Sequence, residues 1–209
     1  AGSALKVRIS GIQVQRTAGD GIRVLNVPHV EVIDVGILQA ALHGIVVHGA
    51  AESATVRGTR INGTPGNGIQ VSASASVVLE DNRIARAGQI ANQERLGMDF
   101  NGIRIGGFRE VSVLRNEIDT TGFAGIMMSE VIPISDDQPQ ALAVQVRDNT
   151  ISTFCVHFND CGAIYINGRR RGRPDLKVVE GTRVLQGNRI TDPRATLNGL
   201  PGNTQAAHS

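Results

Sequence analysis

The sequence predicts an all-β fold, a right-handed parallel β-helix with three short strands in every coil, and three observations carry that prediction. The first is a phrase made of a turn residue, one spacer and an isoleucine, read at Thr59-Arg60-Ile61, Asn82-Arg83-Ile84, Asn116-Glu117-Ile118, Asn149-Thr150-Ile151 and Asn188-Arg189-Ile190. The second is a Gly-Ile pair at Gly21-Ile22, Gly44-Ile45, Gly68-Ile69, Gly102-Ile103 and Gly125-Ile126, returning as Gly162-Ala163-Ile164. Its isoleucines stand 23, 24, 34, 23 and 38 residues apart, so a coil takes 23 or 24 residues and the longer steps hold insertions. The third is strand alternation, as in Val111-Ser112-Val113 and Val144-Gln145-Val146, where apolar residues two apart face inward. Self-similarity at this period marks a solenoid, because one coil cannot bury its own apolar face and must stack on a copy.

One coil reads as a first strand from Gly102 to Ile105, a second from Glu110 to Leu114 and a third from Glu117 to Asp119. Turns rich in Gly, Asn and Asp separate them. Six to seven coils stacked at the interstrand spacing of roughly 4.8 Å make a rod on the order of 30 Å long. The asparagine of each phrase falls where the second strand turns into the third. A side-chain amide there can bond to the backbone and to the amides above and below it, which predicts an asparagine ladder of Asn82, Asn116, Asn149 and Asn188.

Hydrophobic residues make up 41% of the 209, yet there are five Phe, one Tyr and no Trp, so Ile, Val, Leu and Ala must fill a narrow core. Residues 1–209 are read as a single β-helix domain, a portion of a longer solenoid. The opening Ala1-Gly2-Ser3, without Met, fits a processed start, a cloning remnant or an excerpt. A net charge of +2 gives no ground for a nucleic-acid partner. No run of 18 apolar residues occurs, so no membrane-spanning helix is expected. Cys155 and Cys161 are too few for a disulfide framework. A bridge across so short a segment would be a local clasp, and two reduced, partly buried thiols are the expectation. His29, His43, His48, His157 and His208 show no paired ligand spacing, so no metal site and no cofactor are implied.

Three insertions, near 85–101, 129–141 and 167–177, all flank the Gly-Ile strand. Long loops gathered on one face of a rigid solenoid form the walls of a groove. Its floor would be the outward residues of the Gly-Ile strands, Arg23, Val46, Gln70, Arg104, Met127 and Tyr165.

The stretch Phe154-Cys155-Val156-His157-Phe158-Asn159-Asp160-Cys161-Gly162-Ala163-Ile164-Tyr165 resembles the Asp-x-Gly-x-Ile-Tyr coil of right-handed β-helix glycoside hydrolases in the pectin-lyase-like superfamily. The Asn-x-Ile and Gly-Ile spacing resembles the same superfamily from about Leu5 to Asp192. The resemblance implies a polysaccharide partner and a secreted or periplasmic location. The chain departs from two of its enzyme patterns. Asp136-Asp137 lacks the Asn-Thr-Asp and Gly-His-Gly companions of polygalacturonases, and there is no Asp-Pro-His-Glu stretch of alginate epimerases. Lyases, tailspikes and noncatalytic surface proteins share the repeat, so the fold alone does not choose the chemistry.

Glycoside hydrolysis needs two carboxyl groups, about 5 Å apart for retention and roughly 6.5 to 9.5 Å for inversion. Asp160 stands directly before a groove strand, Asp99 before the strand two coils earlier, and Glu130 closes the strand between them. Asp160 paired with Glu130 or Asp99 is therefore the catalytic reading, against the simpler one of a turn-capping aspartate and loop carboxylates. Tyr165 lies on the groove strand, where it can stack on a sugar or fill space under a loop, and Asn167, opening the insertion that follows, is a further substrate-binding candidate. His157 is an acid or base in one reading and an exposed strand residue in the other. Arg169, in the run Arg169-Arg170-Arg171, joins Arg104 as a binder of carboxylates or sulfates, or is part of a solvated basic loop. Nucleic acid is disfavoured because the arginines lack an aromatic platform. A lyase acting on an acidic glycan and a noncatalytic structural, adhesion or assembly module are the rival readings. For the rod, the open strand edges at either end would be covered by further chain or by an oligomeric partner.

Overall fold

A computed structural model describes residues 5–89, 100–131, 143–158, 161–167 and 182–191. All regular elements among them are strands, and every pairing is parallel. The Gly-Ile strands, Ile22–Leu25, the start of Ile45–Arg57, the start of Ile69–Glu80, Ile103–Phe108, Ile126–Val131 and Ile164–Asn167, stack in that order. Second strands run from Lys6–Ser10 through His29–Ile33, the ends of the two long strands, Glu110–Leu114 and Ala143–Arg147 to Arg183–Gln186. Third strands make a separate sheet of seven: Gln13–Thr17, Gly36–Ala40, Arg60–Thr64, Arg83–Ala87, Glu117–Thr121, Thr150–Ser152 and Arg189–Thr191. Seven coils are thus described, the first of them without its Gly-Ile strand. The third strand of the fourth coil reaches Ala87 and the Gly-Ile strand of the sixth reaches Val131, so strand continues into the segments expected as insertions near 85–101 and 129–141.

Identical residues stack because the side-chain period of a strand is two and the coils are in register. Ile22, Ile45, Ile69, Ile103, Ile126 and Ile164 form one inward row. Val14, Ile37, Ile61, Ile84, Ile118, Ile151 and Ile190 form another. In the middle coils these side chains are fully buried, while Ile190 in the last coil is 49% exposed because nothing described stacks beyond it.

The corner between second and third strands is made by a residue with left-handed backbone in every coil: Gly11, Asp34, Gly58, Asp81, Arg115, Asp148 and Gly187, with φ between 52° and 68°. The next residue carries the ladder. Asn116 Oδ1 accepts the Asn82 backbone N–H at 3.1 Å and Asn82 Nδ2 at 2.9 Å, and Asn116 Nδ2 donates to Leu79 O at 3.0 Å and Asn149 Oδ1 at 2.9 Å. The pattern repeats from Asn149 to Asn188. Thr59 begins it, donating its backbone N–H and its hydroxyl to Asn82 Oδ1. The expected asparagine ladder is therefore present in full, with Asn82, Asn116 and Asn149 wholly buried and their polar atoms paired.

A second polar ladder was not anticipated. It occupies the residue before each Gly-Ile pair: His43 N–H donates to Asp20 Oδ1 (3.1 Å), Asn67 N–H to His43 Nδ1 (2.9 Å), Asn101 N–H to Asn67 Oδ1 (2.9 Å) and Ala124 N–H to Asn101 Oδ1 (3.3 Å). The signal stood in the sequence, since Asp20, His43, Asn67 and Asn101 share one repeat position. His43 serves here as an acceptor in place of an amide. His43→Leu leaves the Asn67 N–H unpaired and should lower stability by about 1–3 kcal/mol, whereas His43→Asn should retain most of it; urea unfolding of both distinguishes them.

Candidate functional site

The Gly-Ile sheet presents two outward rows. Arg23, Val46, Gln70, Arg104, Met127 and Tyr165 make one, and Leu25, His48, Ser72, Gly106 and Ser129 make the other. The expected groove floor needs correction at two places. Val46 and Met127 are 5% and 1% exposed, so neither lies open to a ligand.

Met127 is covered by an aromatic cluster outside the β-helix core. Phe100, Phe123, Ala124 and Met127 are buried together, with Phe158, Cys161 and Tyr165 packed against them. The Phe158 ring lies 5.4 Å from Phe100 and 5.5 Å from Phe123, and Tyr165 lies 6.0 Å from Phe123. Four of the six aromatic residues thus leave the stacked core, where only Phe108 and Phe154 remain. The physical reason is room: the core rows hold branched aliphatics in register, and a ring fits more readily in a satellite cluster. Tyr165 is half-buried at the margin of this cluster, its ring tilted by 50° against that of Phe123.

The segment from Thr153 to Phe158 is folded down onto the preceding coil. Thr153 and Cys155 have φ of 50° and 60°, and the N–H groups of Cys155, Val156 and His157 donate to the carbonyls of Phe123, Thr121 and Gly122. Cys155 and Cys161 are joined by a disulfide with Cα atoms 6.0 Å apart, which corrects the expectation of two reduced thiols. His157 is not an open strand residue: it is partly buried, its backbone N–H is bonded to Gly122, and its Nε2 has no hydrogen-bond partner among the described residues.

Arg104 stands between Gln70 and Met127 in register and is partly exposed on the floor. Gln70 accepts from Asn67 Nδ2 at 2.9 Å, tying the floor to the second polar ladder. His48 Nδ1 and Ser72 Oγ approach to 2.7 Å on the same face, and His29 Nδ1 and Ser53 Oγ to 2.9 Å on the second-strand face. These pairs come from stacked repeat positions that sequence spacing for metal ligands does not reveal. Glu130 and Asn167 lie on Gly-Ile strands. Asp99, Asp160 and Arg169 lie outside the described residues, as does the rest of the Arg169-Arg170-Arg171 run. Their described neighbours in the chain do meet, since Phe100 follows Asp99, Phe158 and Cys161 bracket Asp160, and all three belong to the aromatic cluster.

Two titrations shifted by their surroundings lie on other faces. Glu31 is held below the usual carboxylate range by a hydrogen bond from Lys6, aided by the charges of Lys6, Arg8 and Arg57 and opposed by desolvation. Arg115 is held more firmly protonated by hydrogen bonds to Asp81 and Glu80. The contribution of the Lys6 pair is present above the ordinary carboxylate pKa and is lost as pH falls through the lowered one. Lys6→Met should move the Glu31 titration upward, which an NMR pH titration of its carboxyl carbon reads directly. Both shifts belong to ion pairs of the scaffold.

Parallel strands stacked coil on coil, with an amide ladder at one corner, define the class of right-handed parallel β-helices. The chain belongs to that family: the family described as "Right handed beta helix region" matches residues 1–172. Neither the curated proteins nor the solved structures compared with the chain gave a match. No helix among the described residues is long and apolar enough to cross a membrane.

Proposed function

We propose that the chain is a carbohydrate-active domain that acts on a polysaccharide lying along the Gly-Ile face, by glycoside hydrolysis, with Asp160 as acid or nucleophile and Glu130 or Asp99 as the second carboxylate. The single observation behind this reading is the aromatic cluster, in which residues adjacent in sequence to both Asp99 and Asp160 pack together beside the half-exposed Tyr165. The Cys155–Cys161 disulfide supports a secreted or periplasmic setting, where such bonds persist. Arg104 on the floor, with Arg169 in the sequence beyond, suits a glycan carrying carboxylates and keeps a lyase reaction as the second reading.

The test is a screen on neutral and acidic polysaccharides that follows reducing ends and unsaturated-product absorbance, with Asp160→Asn alongside. Reducing ends should appear with the unaltered chain, and the rate should fall by about 10²-fold or more in the variant if Asp160 is the acid. Hydrolysis that survives Asp160→Asn unchanged removes the assignment. Unsaturated products in place of hydrolytic ones favour the lyase, and no product on any substrate favours the noncatalytic module.

A further inference from the structure

A groove of about 460 Å³ opens on a different face, the outer surface of the third-strand sheet, across four consecutive coils. It arises from the repeat itself. One outward row reads Arg60, Arg83, Glu117 and Thr150; the next reads Asn62, Ala85, Asp119 and Ser152. Ala85, small between Asn62 and Asp119, sinks the floor, while the long side chains of the first row raise a wall.

The polar groups of this groove are held in place before any ligand arrives. Arg83 grips both oxygens of Glu117, at 3.0 and 3.2 Å. Asp119 Oδ1 accepts from Ser152 Oγ at 2.9 Å and Oδ2 from Thr120 Oγ1 at 3.0 Å. Asn62 Oδ1 accepts from Arg86 Nε at 2.8 Å, which leaves the Asn62 amide nitrogen as its donor. Donors on Arg60, Asn62 and Arg83 are therefore followed along the stack by acceptors on Glu117 and Asp119, at the coil spacing of roughly 4.8 Å and over a track on the order of 14 Å. The lining carries two arginines and two carboxylates. A polyanion or polycation gains nothing net from such a lining, whereas hydroxyl groups can both donate and accept along it.

We infer that this groove is a binding site for a neutral, hydroxyl-rich linear oligosaccharide, separate from the Gly-Ile face and independent of the hydrolase reading. Its residues offer no acid and base pair across a bond, because Glu117 is engaged by Arg83 and Asp119 by two hydroxyls. Binding without turnover is the role it fits.

The experiment titrates the full chain with cellohexaose, xylohexaose, mannohexaose and, as the charged comparison, a galacturonate hexamer, following amide shifts by NMR and affinity by calorimetry. Arg83→Ala and Asp119→Ala are measured beside it, and both lie in exposed ion-pair or hydroxyl contacts whose loss costs the fold little. The expected result is saturable binding of at least one neutral hexasaccharide, with shifts confined to third-strand residues and affinity reduced about 10-fold by each substitution, the loss of roughly one charge-assisted hydrogen bond. The inference is overturned if no neutral hexasaccharide binds, if only the galacturonate hexamer does, or if binding survives both substitutions. It is equally overturned if the shifts map to the Gly-Ile strands, an outcome that leaves the reading of that face intact.

Discussion

Replacing Asn116 by leucine should lower the unfolding free energy by about 3–5 kcal/mol, because two to three buried polar groups lose their partners at about 1–3 kcal/mol each. The Asn82 N–H and the second hydrogen of Asn82 Nδ2 lose their acceptor, and the Leu79 carbonyl loses its donor. Leucine fills a similar volume, so the loss is electrostatic and is not a cavity. Thr59→Val, at the start of the same ladder, removes one hydroxyl donor while the Thr59 N–H still reaches Asn82, and should cost only about 1 kcal/mol. Urea unfolding of the two variants should therefore separate by several kcal/mol in stability at equal slope. Equal and small losses would mean that water replaces the amides and that the ladder is not what holds the corner. An interior loss of this size is a large share of the total stability of a domain.

The second large effect concerns the glycine of the Gly-Ile pair. A Cβ added at Gly102 would lie 2.5 Å from Ile118 Cγ2 and 2.8 Å from the Gly125 carbonyl of the next coil. Both neighbours are fixed, one by the isoleucine row and the other by the backbone ladder. Gly102→Val should therefore destabilise by about 3 kcal/mol or more, at the upper end of overpacking effects. Ala163 occupies the same repeat position in the seventh coil, as the last described rung. Ala163→Gly should accordingly change stability by no more than about 1 kcal/mol. Thermal melting reads both. A benign Gly102→Val would mean that the coils can move apart locally, contrary to a stack held at constant spacing.

These two residues explain how much of the molecule is legible before folding. Asn116 and Gly102 recur at fixed positions because each must meet its own copy one coil away, and a copy-to-copy contact leaves a period in the chain. The three strands per coil, the register of the isoleucine rows and the asparagine ladder all follow from that period. The second ladder was equally periodic but was hidden by chemistry, since Asp20, His43, Asn67 and Asn101 are three residue types doing one job. What is not periodic was read less well. The aromatic cluster gathers Phe100, Phe123, Phe158 and Tyr165 from three coils at unequal spacing, and no local pattern joins them. The same holds for Cys155 and Cys161, whose bridge sits where the chain folds down onto the preceding coil, a contact with no copy elsewhere among the described residues. The third-strand groove depends on one small residue, Ala85, between larger ones in neighbouring coils, a difference visible only after the register is known.

The reading of function rests on the Gly-Ile face, and Arg104, partly exposed on its floor, is a described residue that tests it. The decisive measurement is affinity electrophoresis through gels containing polygalacturonate or alginate, comparing the unaltered chain with Arg104→Ser, with melting temperatures recorded for both. The account predicts retardation of the unaltered chain and its loss in Arg104→Ser at an unchanged melting temperature. Retardation that is absent from the outset, or that persists undiminished in Arg104→Ser, would contradict an acidic-polysaccharide site on the Gly-Ile face.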